Sequence, residues 1–305
     1  MRDLPGVVVF FSVSAVAAAL AGCRAPAQLS IDDLIVGPQL SQATTVAYVQ
    51  RPDRWRVASG VRDEPVEFFL DDRLAGTVRT NRDGRSEFRL PRVPAADGVV
   101  EAAAVVDGRT LRVAAPLFRW NPDRVSIVVD VDHGLIEPPA KAPFWRRTPP
   151  RRIPRAGAVD ALRWLSEQFQ VAYLTSRPRL VSEQTRAWLA EYGFPDGPLI
   201  CAAPWRGDVG ASALQSRRLL RLRRSWPNVL IGIGDGSDNA EAFAAAGMLA
   251  MAIREEADAA EDEGGAPAAA RVFTSWSDAE RFFRRNVRRL RSPAAVRRMI
   301  LEQSD

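Results

Sequence analysis

Carboxylates and hydroxyls sit at the ends of three short apolar runs. Ile127-Val128-Val129-Asp130-Val131-Asp132-His133-Gly134-Leu135 is the first, and Val171-Ala172-Tyr173-Leu174-Thr175-Ser176-Arg177-Pro178 the second. Leu230-Ile231-Gly232-Ile233-Gly234-Asp235-Gly236-Ser237-Asp238-Asn239 is the third. β-branched and aliphatic runs of this length read as strands buried in a parallel sheet, and the carboxyl ends of such strands share the edge where ligands bind. Asp130 and Asp132, the Thr175 hydroxyl and the acidic loop around Asp235 would converge there. Hard oxygen donors beside a hydroxyl make, in outline, a site for Mg²⁺ and phosphate. Any one of these residues alone reads equally well as a turn or a cap; three in order, each ending an apolar run, do not.

The elements around these runs alternate. Residues 156–169 place Val159, Leu162, Leu165 and Phe169 at helical spacing. Residues 181–192, 213–226 (rich in Arg and Leu) and 239–246 follow as helices, 248–253 as a strand and 271–274 as an edge strand. Strands alternating with helices predict a doubly wound α/β domain with a mainly parallel sheet. Before Asn121-Pro122 the pattern differs. Short strands at 44–50, 66–70, 77–80, 86–90, 99–106 and 110–115 are separated by turn signals at Asp71-Asp72, Asp83-Gly84 and Asp107-Gly108. That spacing predicts a small all-β sandwich.

The order and spacing of Asp130-x-Asp132, Thr175 and Gly234-Asp235 resemble motifs I, II and IV of the haloacid dehalogenase (HAD) phosphohydrolases. Tyr173-Leu174-Thr175-Ser176-Arg177-Pro178 and Trp188-Leu189…Gly193-Phe194-Pro195-x-Gly197-Pro198-Leu199 are similar to the lipin and fungal phosphatidate phosphatase branch. The resemblance implies an aspartyl-phosphate mechanism, with Asp130 as nucleophile and Asp132 as the acid that protonates the leaving alcohol and then activates water. It implies Mg²⁺ held by Asp130, the backbone carbonyl of Asp132, Asp235 and, as an alternative or outer ligand, Asp238. It implies phosphate binding by Thr175, Ser176 and Arg177. Phe68-Phe69-Leu70-Asp71-Asp72 and the turn after it are weakly similar to bacterial immunoglobulin-like surface domains, which act as spacers or adhesion modules.

The sequence departs from the family in three places. Where Gly-Thr usually follows the second Asp, His133-Gly134 stands here. The helical lysine of motif III falls near Gln215, so Arg217 or Arg218 must replace its charge or the role is unfilled. In motif IV the lipin-like acidic position falls on Asn239, with Asp238 one residue early. Lys141 is the only lysine, and His133 the only histidine. With a net charge of +5 carried by arginine, the surface favours bidentate contacts to phosphate or carboxylate.

The resulting organisation is a signal segment at 1–22, Cys23 and a tether to 43, an immunoglobulin-like sandwich at 44–118, a HAD-like domain at 122–275 and a basic amphipathic helix at 276–305. Arg2, the apolar run 7–20 and Leu20-Ala21-Gly22-Cys23 resemble a bacterial lipobox, which implies lipidation of Cys23 and an exported, membrane-anchored protein. Cys201 is then left without a disulfide partner. The helix opens with the capping pattern Ser277-Asp278-Ala279-Glu280. Its apolar face is expected to pack on the sheet, the alternative being an anionic membrane surface.

About 45 residues separate Asp130 from Thr175, too few for a large cap domain, so the substrate is expected to be large or held at a surface. The loop within that stretch sets Phe144 and Trp145 among Lys141, Arg146, Arg147, Arg151, Arg152 and Arg155, a composition that suits anionic phospholipid or, as a plain alternative, solvent. Three functions compete: a Mg²⁺-dependent phosphatase of phosphatidate or another phosphorylated lipid or polymer, a lipid-anchored binding protein without turnover, and, last, a polynucleotide phosphatase or nuclease with steep salt dependence.

Overall fold

A computed structural model describes residues 25–37, 43–52, 58–93, 98–137, 152–201, 211–235, 237–254 and 270–304, with the side chains of 211–214, 237, 238 and 304 outside that description. Cys23, Lys141, Phe144, Trp145, Arg146, Arg147 and Arg151 lie outside the described residues.

Alternating apolar residues build the N-terminal sandwich. One antiparallel sheet joins β1 (Gln28–Ile31), β3 (Thr44–Pro52), β4 (Ala58–Gly60) and β7 (Arg85–Arg89). The second runs β2 (Leu34–Val36), β9 (Arg109–Arg119), β8 (Val99–Val106), β5 (Pro65–Leu70) and β6 (Arg73–Arg79). Val66, Phe68 and Leu70 of β5 alternate inward, as do Val100, Ala102, Ala104 and Val106 of β8. They fill one core between the sheets. Two of the expected turns have the backbone of tight hairpins. Asp71 and Asp72 have φ of 52° and 59°, and Asp107 and Gly108 have 52° and 72°, the two left-handed residues of tight hairpins whose twist matches the strands they join.

The stretch expected to be a tether up to residue 43 contains β1 and β2. Leu29, Ile31, Leu34 and Val36 are long-range partners of β3 and β9, and pairing rather than local propensity makes them strands. The sequence between them, Asp32-Asp33, is where the chain crosses from one sheet to the other.

In the second domain six parallel strands lie in the order β12 (Leu199–Cys201), β11 (Gln170–Thr175), β10 (Ser126–Asp130), β13 (Val229–Gly234), β14 (Leu249–Ile253) and β15 (Arg271–Phe273). The helices are α1 (Ala158–Gln168), α2 (Ser182–Glu191), α3 (Ala211–Ser225), α4 (Ser237–Ala245), α5 (Trp276–Leu290) and α6 (Pro293–Ser304). Successive strand residues point to opposite faces. Ile127 and Val129 share a core with Leu162 of α1, Phe283 of α5 and Met299 of α6. Val128 shares another with Leu219 of α3 and Phe243 of α4. The sheet is therefore doubly wound, and its order reverses between β10 and β13, which opens a crevice at their carboxyl ends.

The predicted C-terminal helix is two helices, broken at Ser292-Pro293, where Pro suits a first helical turn. Phe283 and Leu290 are fully buried, and Phe283 meets Phe169 edge-on at 5.8 Å. The apolar face is thus spent on α1 and the sheet, leaving Arg281, Arg284, Arg285, Arg288, Arg289 and Arg291 at the surface. No helix among the described residues is long and apolar enough to cross a membrane. Phe283→Ala should cost about 3–5 kcal/mol of stability, as a large cavity in a packed core does. Urea unfolding with and without anionic vesicles checks it, and the loss should be the same in both.

Candidate active site

β10, β11 and β13 deliver the three motif ends to one edge. Asp130 ends β10 opposite Leu174, and the ladder extends one residue further through Val131 N–H to the Leu174 carbonyl at 2.8 Å. Gly234 ends β13, so Asp235 projects beyond the sheet beside β10. Asp130, Asp132, Thr175, Ser176, Arg177 and Asp235 lie together at this edge.

The two carboxylates of the first motif are treated oppositely. Asp130 is fully buried; one oxygen accepts the His133 backbone N–H at 2.8 Å and the other, Oδ1, has no hydrogen-bond partner. Burial, set against that one bond and joined by the negative charges of Asp132 and Asp235, pushes its carboxyl up to about 7. Asp132 is saturated. Its Oδ2 accepts from Thr175 Oγ1 at 2.7 Å and from the Ser176 N–H and Oγ at 2.9 Å each. Its Oδ1 lies 2.6 Å from Arg177 Nε, an ion pair whose N–H is not aimed at the oxygen. Burial raises Asp132, but the Thr175 hydroxyl, the Arg177 charge and Ser176 outweigh it and hold the carboxyl below its ordinary range.

Two structural residues frame this pair. Arg155 is almost wholly buried, donates from Nε to the His133 carbonyl at 3.1 Å and brings a guanidinium nitrogen to 3.7 Å from Asp235. Trp276, at the start of α5, donates its indole N–H to the Gly134 carbonyl at 2.9 Å. Gly134 itself has no room for a side chain, since a β-carbon there would lie 2.5 Å from the Asp130 carbonyl oxygen. His133 is largely exposed, with Nδ1 3.7 Å from Asp235 Oδ2.

Other expectations are corrected. Arg217 is exposed, and Arg218 has Arg179, Asp32 and Tyr48 as electrostatic neighbours, burial and the Arg179 charge lowering it. Among the described residues, no hydrogen bond or ion pair joins either one to Asp130, Asp132 or Asp235. The reason is helical phase. Gln215, Leu219 and Trp226 mark the buried face at and just beyond α3, and Arg217 lies on the opposite one. The cations found at this edge are Arg155, beside Asp235, and Arg177, paired with Asp132. Arg155, read as part of a lipid-facing loop, points inward because the bridge between Ile136 and Pro154 turns its backbone onto Leu135. Arg152 remains exposed and gives its carbonyl to the Trp188 indole. Asn239 donates weakly to Asp235 at 3.5 Å, and Asp238 lies in the first turn of α4 with its side chain outside the described residues. Trp276 carried no local signal; only the fold brings it to residue 134.

The donor set suits Mg²⁺: Asp130 offers an unpartnered, buried carboxylate oxygen, and Asp235 a second carboxylate on the same edge. Among the described residues no cluster of three or more potential ligands is formed, and Asp238 is the nearest further candidate in sequence.

Residues 127–249 match the family model described as PITM 1-3, LNS2 domain. This segment is thus similar to LNS2 domains. Among curated proteins, membrane-associated phosphatidylinositol transfer protein 1 of Rattus norvegicus is 27% identical over 176 residues, 57% of this chain and 13% of that protein. The chain therefore spans a small part of that relative. Among solved structures, the cobalt-bound deoxy-D-mannose-octulosonate 8-phosphate phosphatase of Haemophilus influenzae is 16% identical over 55% of this chain and 92% of its own, with a TM-score of 0.37. The M1 domain from titin overlaps 31% of this chain and 94% of its own at 14% identity and a TM-score of 0.23. The sandwich and the all-parallel LNS2 sheet follow from the strand pairings described above.

The burial of Asp130 makes a stability prediction for the α/β domain in buffer free of divalent cations. Asp130 holds its proton more tightly folded than unfolded. The native state therefore binds more protons between the ordinary 3.8 and about 7, and stability falls as pH rises through that window. Asp130→Asn should raise the melting temperature at pH 7.5 by several degrees and shrink the gain toward pH 4, read by thermal unfolding across pH.

Proposed function

We propose that the LNS2 domain is a Mg²⁺-dependent phosphomonoester hydrolase of lipin-like type whose substrate is phosphatidate or a lipid with the same headgroup chemistry. One observation carries this reading: Asp130 Oδ1 is a buried, unpartnered carboxylate oxygen next to a loop whose donors suit phosphate. Mg²⁺ held by Asp130 and Asp235, with the Asp132 carbonyl and Asp238, would supply charge neutralisation for the phosphoryl group.

The chain's own residues account for the rest. A phosphate monoester entering the crevice competes with Asp132 for Thr175 Oγ1, the Ser176 N–H and Oγ, and Arg177. When those donors turn to the phosphate, Asp132 loses the contacts that hold its proton affinity down and gains an anionic neighbour. Both effects raise it, so it can carry a proton. A carboxylate oxygen of Asp130 then attacks phosphorus, the ester P–O bond breaks, and the Asp132 proton goes to the leaving alkoxide. In the second half Asp132 takes a proton from water, the water oxygen attacks phosphorus, and the bond to Asp130 breaks to release phosphate. Arg155 and Arg177 supply the fixed positive charge that a motif III lysine supplies elsewhere. Export and anchoring through a lipidated Cys23, with residues 138–152 at the lipid surface, belong to the same proposal.

The capture of Asp132 also favours a second reading, a phosphate-lipid binding module without turnover, to which Gln215, Gly134 and Asn239 at the altered motif positions contribute. Assay of the purified protein against phosphatidate in mixed micelles and an aryl phosphate, with Mg²⁺ or a chelator, separates the two. Hydrolysis should require Mg²⁺ and fall by about a thousandfold or more in Asp130→Asn, as removal of a nucleophile does. Phosphatidate binding with no turnover, unaffected by Asp130→Asn, selects the binding module, and turnover that survives the substitution dismisses the mechanism.

A further inference from the structure

The crossing between β1 and β2 places two acids against the LNS2 domain. Asp32 takes a two-point contact from Arg179, Nε to Oδ1 at 2.5 Å and a terminal nitrogen to Oδ2 at 3.1 Å. The Arg179 side chain is 4% exposed, and its guanidinium also lies over the Tyr48 ring at 4.2 Å. Tyr48 in turn reaches Asp32 at 3.4 Å, and the Asp32 backbone N–H is fixed on the Val46 carbonyl. Asp33, 2% exposed, pairs with Arg186 of α2 and accepts the Leu199 N–H at the start of β12 at 2.7 Å. The sandwich thus grips three consecutive pieces of the neighbouring domain: the turn at Arg179–Val181, α2 and β12.

The gripped turn directly follows the residues that hold Asp132. Thr175, Ser176 and Arg177 are separated from Arg179 only by Pro178, whose ring fixes φ near −65°. Arg177 also donates to Thr185 of α2 at 3.3 Å, one residue before Arg186. One end of the loop is therefore held directly by Asp32 through Arg179, and Arg177 is tied through Thr185 to the helix whose Arg186 meets Asp33.

We infer that Asp32 and Asp33 are positioning residues for the phosphate-binding loop 175–179, so that the immunoglobulin-like domain is a working part of the site and not a spacer. The inference rests on the reading of that loop as a phosphate site. A bidentate Arg–carboxylate pair fixes orientation as well as distance, and a small displacement of a binding group is felt at the reacting atoms.

The test uses the full chain and three readouts: amide hydrogen exchange over 175–181, affinity for inorganic phosphate with Mg²⁺, and KM against kcat. In Asp32→Asn, exchange over 175–181 should accelerate while the strands of the LNS2 sheet keep their protection. Phosphate affinity should weaken and KM rise by about tenfold, with kcat changed by less than about twofold. Asp32→Glu should restore most of the loss, and Asp107→Asn, at the exposed Arg51–Asp107 pair within the sandwich, should change nothing. Unchanged exchange over 175–181, a uniform acceleration across the chain, or local loosening with unaltered phosphate affinity would each overturn the inference. Should Asp32→Asn fail to fold, Arg179→Lys, which keeps the charge and loses the fork, is read in the same way. If the wild-type protein binds no phosphate, the proposed function fails, and hydrogen exchange alone decides whether the sandwich fixes the loop.

Discussion

A carboxylate sealed at the point where the strand order reverses governs this structure. Asp130 is fully buried with one oxygen satisfied by a single backbone N–H and the other by nothing. Removing a charged group from water without partners is among the most expensive things a fold does. The surroundings answer it piecemeal. Residues 131–134 curl back so closely that position 134 admits only glycine, and the indole of Trp276 closes over that glycine's carbonyl. A buried arginine stands opposite the next carboxylate along the edge. None of these supplies the missing partner for Asp130 Oδ1, and the oxygen stays available to a ligand.

Two carboxylates two residues apart are driven in opposite directions by neighbours alone. One is starved of donors and held toward its neutral form; the other is given four contacts and held ionised. Such divergence is how one site holds an acid and a base of the same chemical type. It also means that the donors of the 175–177 loop are never idle. They rest on Asp132, an internal anion, and any phosphate must displace that anion before it binds.

The sequence displayed the α/β sheet because its strands are apolar runs bounded by helices with clear periodicity, and the site because carboxylates end those runs. Ile127 to Asp130 and Leu230 to Asp235 needed no tertiary information. β1 and β2 did, being four and three residues long and strands only by virtue of β3 and β9. Arg155 was misplaced for a related reason, since one arginine in an arginine-rich stretch bears no local mark of burial. The assignment of Arg217 as a replacement cation ignored a rule the sequence did state: a residue two positions from a buried helical one faces away from it. The grip of Asp32 and Asp33 was invisible, because the partners Arg179, Arg186 and Leu199 lie more than 140 residues downstream.

The bond from Trp276 to Gly134 spans 142 residues. A chain made from its N-terminus exposes β10 and both its acids long before α5 exists, so the loop carrying Gly134 must wait for that later segment to emerge. The sandwich and most of the sheet can form in the meantime. The site's final geometry therefore follows the strands that carry it, tied to the arrival of α5, and a nascent chain that stops short of Trp276 holds the acids without the closure that organises them.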